Sequence, residues 1–312
     1  MPSTDLPIHA AQLPRLLSGN GIRIREDVLY TNAKGEPDDR SRKRNEEALA
    51  SLRDILPNLL EPNEAVLYVI KSCQAPLGTL EQLFLGWYAY RVTATRLVFT
   101  NLRLLHFGMD SGKKWNRTLK SVRWGDVTDA KVKGWINRLL ELRYADRTKE
   151  RYWRLPKKDG KKAQAILVAV LPLSRGEATS AQGFQSICPD CRATLMTGKY
   201  QCVSCVLKFK DEKTLRRWTI LIPGGGYLYA GMTSLGVLAL VTEGLLTIGV
   251  ILSLLVVVGL MAPGTAENGQ PLQRSEFWGG ALVLAILVAL NKGLEYIHSR
   301  RVIRSFLPLK KP

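Results

Sequence analysis

The chain has 312 residues, with 45 Lys and Arg against 27 Asp and Glu and a net charge of +18. Its mean hydropathy of -0.04 averages two unlike parts. Of the charged residues, 38 basic and 23 acidic ones precede residue 219, leaving that part at +15, while long apolar runs fill residues 219–312. Such a charge favours an anionic partner: nucleic acid, an anionic membrane surface or an acidic protein. Met1 to Leu17 has neither a basic start nor an unbroken apolar stretch. No secretory signal is therefore expected, and the polar part is expected to stay in the cytoplasm.

Residues 1–45 show no sustained period and read as a flexible segment, with the charged run Asp38–Arg44 as a solvated linker. From Glu46 to Leu60, the spacing of Leu49, Leu52, Ile55, Leu56 and Leu59 predicts a helix that Pro62 stops. Seven strands follow: Val66–Ile70, Tyr88–Thr100, Leu102–Phe107, Lys114–Leu119, Val127–Val132, Leu139–Tyr144 and Arg151–Leu155. Seven short strands in about 90 residues predict a small antiparallel β-barrel or sandwich. Ala163, Ile166, Leu167, Val170 and Leu171 form one helical stripe suited to closing an end of it. Cys73 lies in an apolar strand and reads as core.

The run Leu60-Glu61-Pro62-Asn63-Glu64 before the first strand, and Leu97 to Leu105 across a hairpin, resemble the bacterial pleckstrin-homology-like and GRAM-like family over about residues 60–172. With the helix before it, that gives a domain over 46–172. The resemblance implies a binding scaffold for phospholipid headgroups or proteins, without catalysis.

A Ser- and Gly-rich linker, 173–184, leads to Cys188-Pro189-Asp190-Cys191 and, after ten residues, Cys202-Val203-Ser204-Cys205. A two-residue spacer lets one tight turn aim two thiolates at one ion, and two such turns complete a tetrahedron. In a reducing compartment the pairs read as metal ligands before disulfides. Tetrahedral thiolates suit zinc first and iron second. The module resembles a zinc ribbon over about residues 186–210, within a domain over 185–210. Such ribbons often carry Gly directly after each second Cys; here Arg192 and Val206 stand there.

A basic juxtamembrane helix is expected over 211–218. Residues 219–243 read as a re-entrant or interfacial segment, 244–261 and 277–297 as transmembrane helices, 262–276 as an external loop and 298–312 as a basic cytoplasmic tail. Arg216 and Arg217 precede the apolar region, and Arg300, Arg301, Arg304, Lys310 and Lys311 follow it, so both ends are expected in the cytoplasm. Ile222 to Gly231, with Pro223, Gly224, Gly225 and Gly226, resembles the glycine and tyrosine motif of the TM2-type family. Glu243 is a candidate intramembrane carboxylate, with an interfacial position as its plainer reading. Lys292 and Glu295 read as interfacial.

Two basic clusters are candidate sites for anionic lipid. Lys113, Lys114 and Arg117 surround one hairpin. Arg147, Arg151, Arg154, Lys157 and Lys158 lie in a longer run with Tyr144, Tyr152 and Trp153 between its bases. No nucleophile elbow, Walker loop or paired-carboxylate motif appears, so no catalysis is expected. The multidomain architecture thus reads as β-barrel, zinc ribbon and transmembrane hairpin, in a membrane-anchored adaptor. Its rivals are a tethered nucleic-acid binder and an ion or small-molecule membrane protein using Glu243.

Overall fold

The computed structural model describes residues 15–16, 21–75, 93–110, 114–135, 138–174, 183–262 and 273–309. Two compact units divide the chain, residues 1–207 and 208–312.

The first unit is built on a sheet of ten described strands. Seven form its body: β3 (Val66–Gln74), β4 (Ala94–Thr100), β5 (Arg103–Met109), β6 (Trp115–Arg123), β7 (Val127–Lys133), β8 (Arg138–Tyr144) and β9 (Lys149–Leu155). Two short strands, β1 (Arg15–Leu16) and β2 (Arg23–Ile24), precede them, and β10 (Gln185–Ser186) follows. The path runs β10-β6-β5-β4-β3-β9-β8-β7, antiparallel throughout. All seven body strands were predicted, with bounds moved by a few residues; residues 88–92 of the predicted Tyr88–Thr100 strand lie outside the described residues. Among the described residues four α-helices belong to this unit: α1 (Glu26–Leu29), α2 (Asp39–Ala50), α3 (Leu56–Leu59) and α4 (Lys157–Leu173). The predicted stripe of α4 is buried at Ala163, Ile166, Leu167 and Val170.

The segments that carried the family resemblance are joined by a buried ion pair. Glu64 accepts from Arg103 Nε at 2.9 Å and Nη2 at 2.8 Å, and from the Thr100 hydroxyl at 2.8 Å. Asn101 receives the Ala65 N–H at 2.8 Å and donates to the Asn63 carbonyl at 2.9 Å. The carboxylate is fully buried, and its donors leave no lone pair facing apolar atoms alone.

The N-terminal segment departs from the flexible reading. Residues 21–45 fold onto the sheet: β2 pairs in parallel with the start of β3, and Ile22, Ile24, Val28 and Leu29 enter the core. The charged run begins α2 because Asp38 caps it, accepting from the Arg40 N–H at 3.1 Å and the Ser41 hydroxyl at 2.8 Å. Arg44 pairs with buried Asp159 at 2.7 Å, and Asn45 donates to the Leu29 carbonyl at 2.7 Å. The expected single helix over 46–60 is instead the end of α2, a turn and α3.

The second unit contains α5 (Glu212–Leu221), α6 (Gly225–Ala230), α7 (Thr233–Val257) and α8 (Arg274–Ile303). Two stretches, Thr233–Val257 and Phe277–Ile303, are long and apolar enough to cross a membrane. The apolar stretch 219–243 is therefore no single re-entrant element: it covers the end of α5, all of α6 and the first half of α7. The first long helix begins at Thr233 instead of residue 244. Gly224 and Gly231 break the chain there, both with left-handed φ. The unit's two ends are tied together: the Lys210 N–H donates to the Leu307 carbonyl at 2.9 Å, and the Leu309 N–H to the Lys208 carbonyl at 3.0 Å. Residues 208–210, expected within the ribbon, thus belong to the helical unit.

Candidate functional site

The four predicted cysteines converge. The sulfurs of Cys188, Cys191, Cys202 and Cys205 all lie within 4.8 Å of one another, so the group could hold a metal ion. Two turns of identical backbone pattern present them. In the first, the Arg192 N–H donates to the Cys188 carbonyl at 3.0 Å and the Cys188 N–H to the Ala193 carbonyl at 2.9 Å. In the second, Val206 donates to Cys202 at 3.1 Å and Cys202 to Leu207 at 2.9 Å. Each turn needs a left-handed residue after its second Cys. Arg192 (φ 65°) and Val206 (φ 62°) supply it without glycine, at a cost for the β-branched valine of roughly 1–2 kcal/mol. Burial pushes the Cys188 thiol up. It also tends to raise the Cys202 thiol, but the Cys205 and Ser204 N–H groups, with the Cys191 and Cys205 thiols, outweigh it and bring the group down to about 7. A thiol so held is a ready thiolate ligand.

The turns are fused to the sheet. Strand β10 pairs with β6 at Ser121 and Lys120, the Ile187 N–H donates to the Leu119 carbonyl at 2.9 Å, and Arg117 pairs with Asp190 inside the first turn.

The structure disperses the predicted lipid-binding bases. Strand directions alternate, so the β5–β6 and β8–β9 hairpins open at one end of the sheet. Lys114 and Arg147 sit there; Lys113 lies outside the described residues. Lys157 and Lys158 follow β9 at the other end. Seven extended residues separate the groups by about 20 Å, so the run 147–158 is no single patch. Several members are also engaged. Arg117 docks the first cysteine turn. Arg151, Arg143 and Lys133 surround buried Glu141 at 3.0, 2.9 and 2.9 Å. The bond from Lys133, then those from Arg143 and Arg151, hold the Glu141 carboxyl down at about 2. Lys157 lies over the Trp135 ring.

Glu243 and the glycine run come together, and residues read as interfacial join them. Glu243, fully buried, accepts from the Gly224 N–H at 2.9 Å, Asn291 Nδ2 at 3.0 Å and Lys292 Nζ at 2.8 Å. Lys292 also donates to the Ile222 carbonyl at 2.8 Å. Glu295, equally buried, accepts the N–H groups of Gly226 at 2.5 Å and Tyr227 at 3.2 Å, satisfying two orphan donors in the first turn of α6. Tyr227 hydroxyl meets His298 Nδ1 at 3.0 Å. A Cβ on Gly224 would strike the Gly236 carbonyl, and one on Gly226 the Thr219 hydroxyl, so close approach requires both glycines. The reading of Lys292 and Glu295 as interfacial missed this convergence. Its signal was present: Asn291, Lys292, Glu295 and His298 recur at helical spacing inside an apolar run.

Compared with protein-family models, with curated proteins and with solved structures, the chain matches none of them.

Proposed function

We propose that this chain is a membrane-anchored binding protein without catalytic chemistry of its own. Helices α7 and α8 would form a two-span anchor, carrying a cytoplasmic β-domain that docks anionic lipid or an acidic protein. The observation that carries the anchor is the outward face of the helical unit. Leu238, Val241, Leu245, Ile248 and Ile251 on α7, and Leu282, Val283, Ile286 and Leu290 on α8, are all at least half exposed. Apolar surface of that extent needs lipid or protein to cover it. At about 1.5 Å per residue, each span exceeds the roughly 30 Å of a hydrocarbon core. The hydrogen-bonded ends of the helical unit favour an even number of crossings, and the flanking arginines favour the cytoplasm for both.

The pleckstrin-homology-like reading of the β-domain is supported by seven antiparallel strands followed by one packed helix. Lys114 and Arg147 at the hairpin end are the bases that suit headgroups there. Zinc is the ion that best suits four thiolates, and four protein ligands leave no open position for a substrate, so we assign it a structural role. Ion pairing of Arg117 and Arg151 favours a local anionic contact over a continuous nucleic-acid track. Glu243, saturated by three donors, serves as a clasp on the glycine turn more readily than as a carrier of ions.

Two measurements test the reading. Alkaline carbonate should leave the protein in the membrane pellet; release into the supernatant would sink the anchor. Full-length protein in neutral nanodiscs should capture anionic liposomes at low salt and lose them at high salt, while neutral liposomes are not captured. Capture of neither kind would remove lipid docking.

A further inference from the structure

A cleft of about 660 Å³ opens in the β-domain between the α1–α2 loop and the first turns of α4. Its size falls within the range of small-molecule sites. It lies by the starts of β3 and α4, at the opposite end of the sheet from the hairpin tips, and so is separate from the docking surface proposed above.

Lys162 reaches into this cleft with only 2% of its surface exposed. Its ammonium donates to the Thr31 hydroxyl at 2.8 Å and to the Asn32 carbonyl at 2.9 Å. Both acceptors are neutral, and among the described residues no carboxylate forms an ion pair with it. An ammonium has three donors, so one remains. A buried cation without a counter-charge is costly. Burial pushes Lys162 down to about 8, with the charge of Asp27 offsetting only part of the effect.

The surroundings add positive charge. Lys158 and Lys161 stand on the same helix face at the spacings that make i, i+3 and i, i+4 neighbours, and Lys34 in the α1–α2 loop and Arg40 in the first turn of α2 line the cleft with them. The lining acids Asp38 and Glu36 are occupied locally: Asp38 caps α2, and Glu36 accepts from Asn32 Nδ2 at 2.8 Å. With Asp39, they leave five bases against three acids. The seventeen-residue helix α4 also directs the positive end of its dipole here.

We propose that this cleft binds a phosphate monoester on a small polar molecule, with Lys162 at its floor and Lys158 and Lys161 on its wall. A monoester carries a charge of about -1.5 to -2 and three strong acceptor oxygens. It matches the excess of two positive charges and the remaining donor of Lys162. A lipid headgroup and a free metabolite share this chemistry.

Full-length protein in neutral detergent would be titrated calorimetrically with inorganic phosphate and glycerol 3-phosphate, with sulfate as control. In parallel, protein in phosphatidylcholine nanodiscs would be offered phosphatidylcholine vesicles with and without phosphatidic acid. We expect saturable binding in one arm, weakened about ten-fold or more by Lys162→Gln and by the Lys158→Gln/Lys161→Gln pair, the equivalent of one lost charge-assisted bond. Binding of the soluble phosphates identifies a free ligand. Capture only of phosphatidic acid vesicles, lost in the Lys158→Gln/Lys161→Gln variant, identifies a headgroup in the cleft. Lys158 and Lys161 are exposed, so that pair carries the test if Lys162→Gln does not fold. Binding in neither arm, binding unchanged in the wall variant, or sulfate bound equally tightly would overturn the assignment.

Discussion

Lys292 holds its ammonium 2.8 Å from Glu243, joining the two long apolar helices of the second unit through a fully buried carboxylate. Removing one member leaves the other charged and unpaired in an apolar surround. Lys292→Met should destabilise the helical unit by about 3–5 kcal/mol. The Glu243→Gln/Lys292→Met double variant, which leaves only Glu295, 3.7 Å from the Lys292 ammonium, without that cation, should cost less than the single change. Thermal unfolding in detergent reads both; equal losses would show that the pair is not coupled.

The glycine turn should tolerate no side chain where the backbone closes on it. Gly224→Ala is strained twice, by a left-handed φ of 67° and by the Gly236 carbonyl, whereas Gly244 has open space around its Cβ position. Gly224→Ala should cost at least about 1–3 kcal/mol, and Gly244→Ala should be neutral or better, since alanine favours a helix. Matching melting temperatures for the two would contradict this packing.

Elemental analysis of purified protein should give about one zinc per chain, lost in Cys188→Ser. Iron in place of zinc would correct the ion and leave the ligands standing. Val206→Gly relieves left-handed strain at a cost in unfolded-chain entropy, so it should be neutral or stabilising by up to about 1 kcal/mol. A clear loss of metal in that variant would mean the valine side chain matters to the turn.

Acid should weaken the β-domain through Glu141. Its folded pKa is depressed, so the stabilisation it brings is present above the ordinary carboxylate value of 4.5 and fades as pH falls toward about 2. Denaturant unfolding of wild type across that window should show this decline, and Glu141→Gln should flatten it. Identical slopes would place the acid sensitivity elsewhere.

Much of the β-domain was legible because its strands alternate or run apolar between turn residues, as in Leu97 to Phe99 and Leu139 to Tyr144. The cysteine site was legible because ligand spacing is local. The folded segment 21–45 was not. What fixes Asp38–Arg44 is a cap plus partners far along the chain, Asp159 among them, and no local pattern shows a contact between residues 44 and 159. The clasp around Glu243 was hidden for the same reason. Each polar residue in it fits alone near an interface, and only the tertiary contacts show that they are one another's partners.

Strand β6 would end the sheet if β10 did not lie against it, and β10 is held there by residues that lead directly into the first cysteine turn. Loss of the ion would loosen that turn and bare the main-chain donors and acceptors of β6 at Leu119, Lys120 and Ser121. Unpaired edges of this kind recruit strands from other molecules. Metal starvation would then act less by unfolding the domain than by making it adhesive, with copies meeting edge to edge.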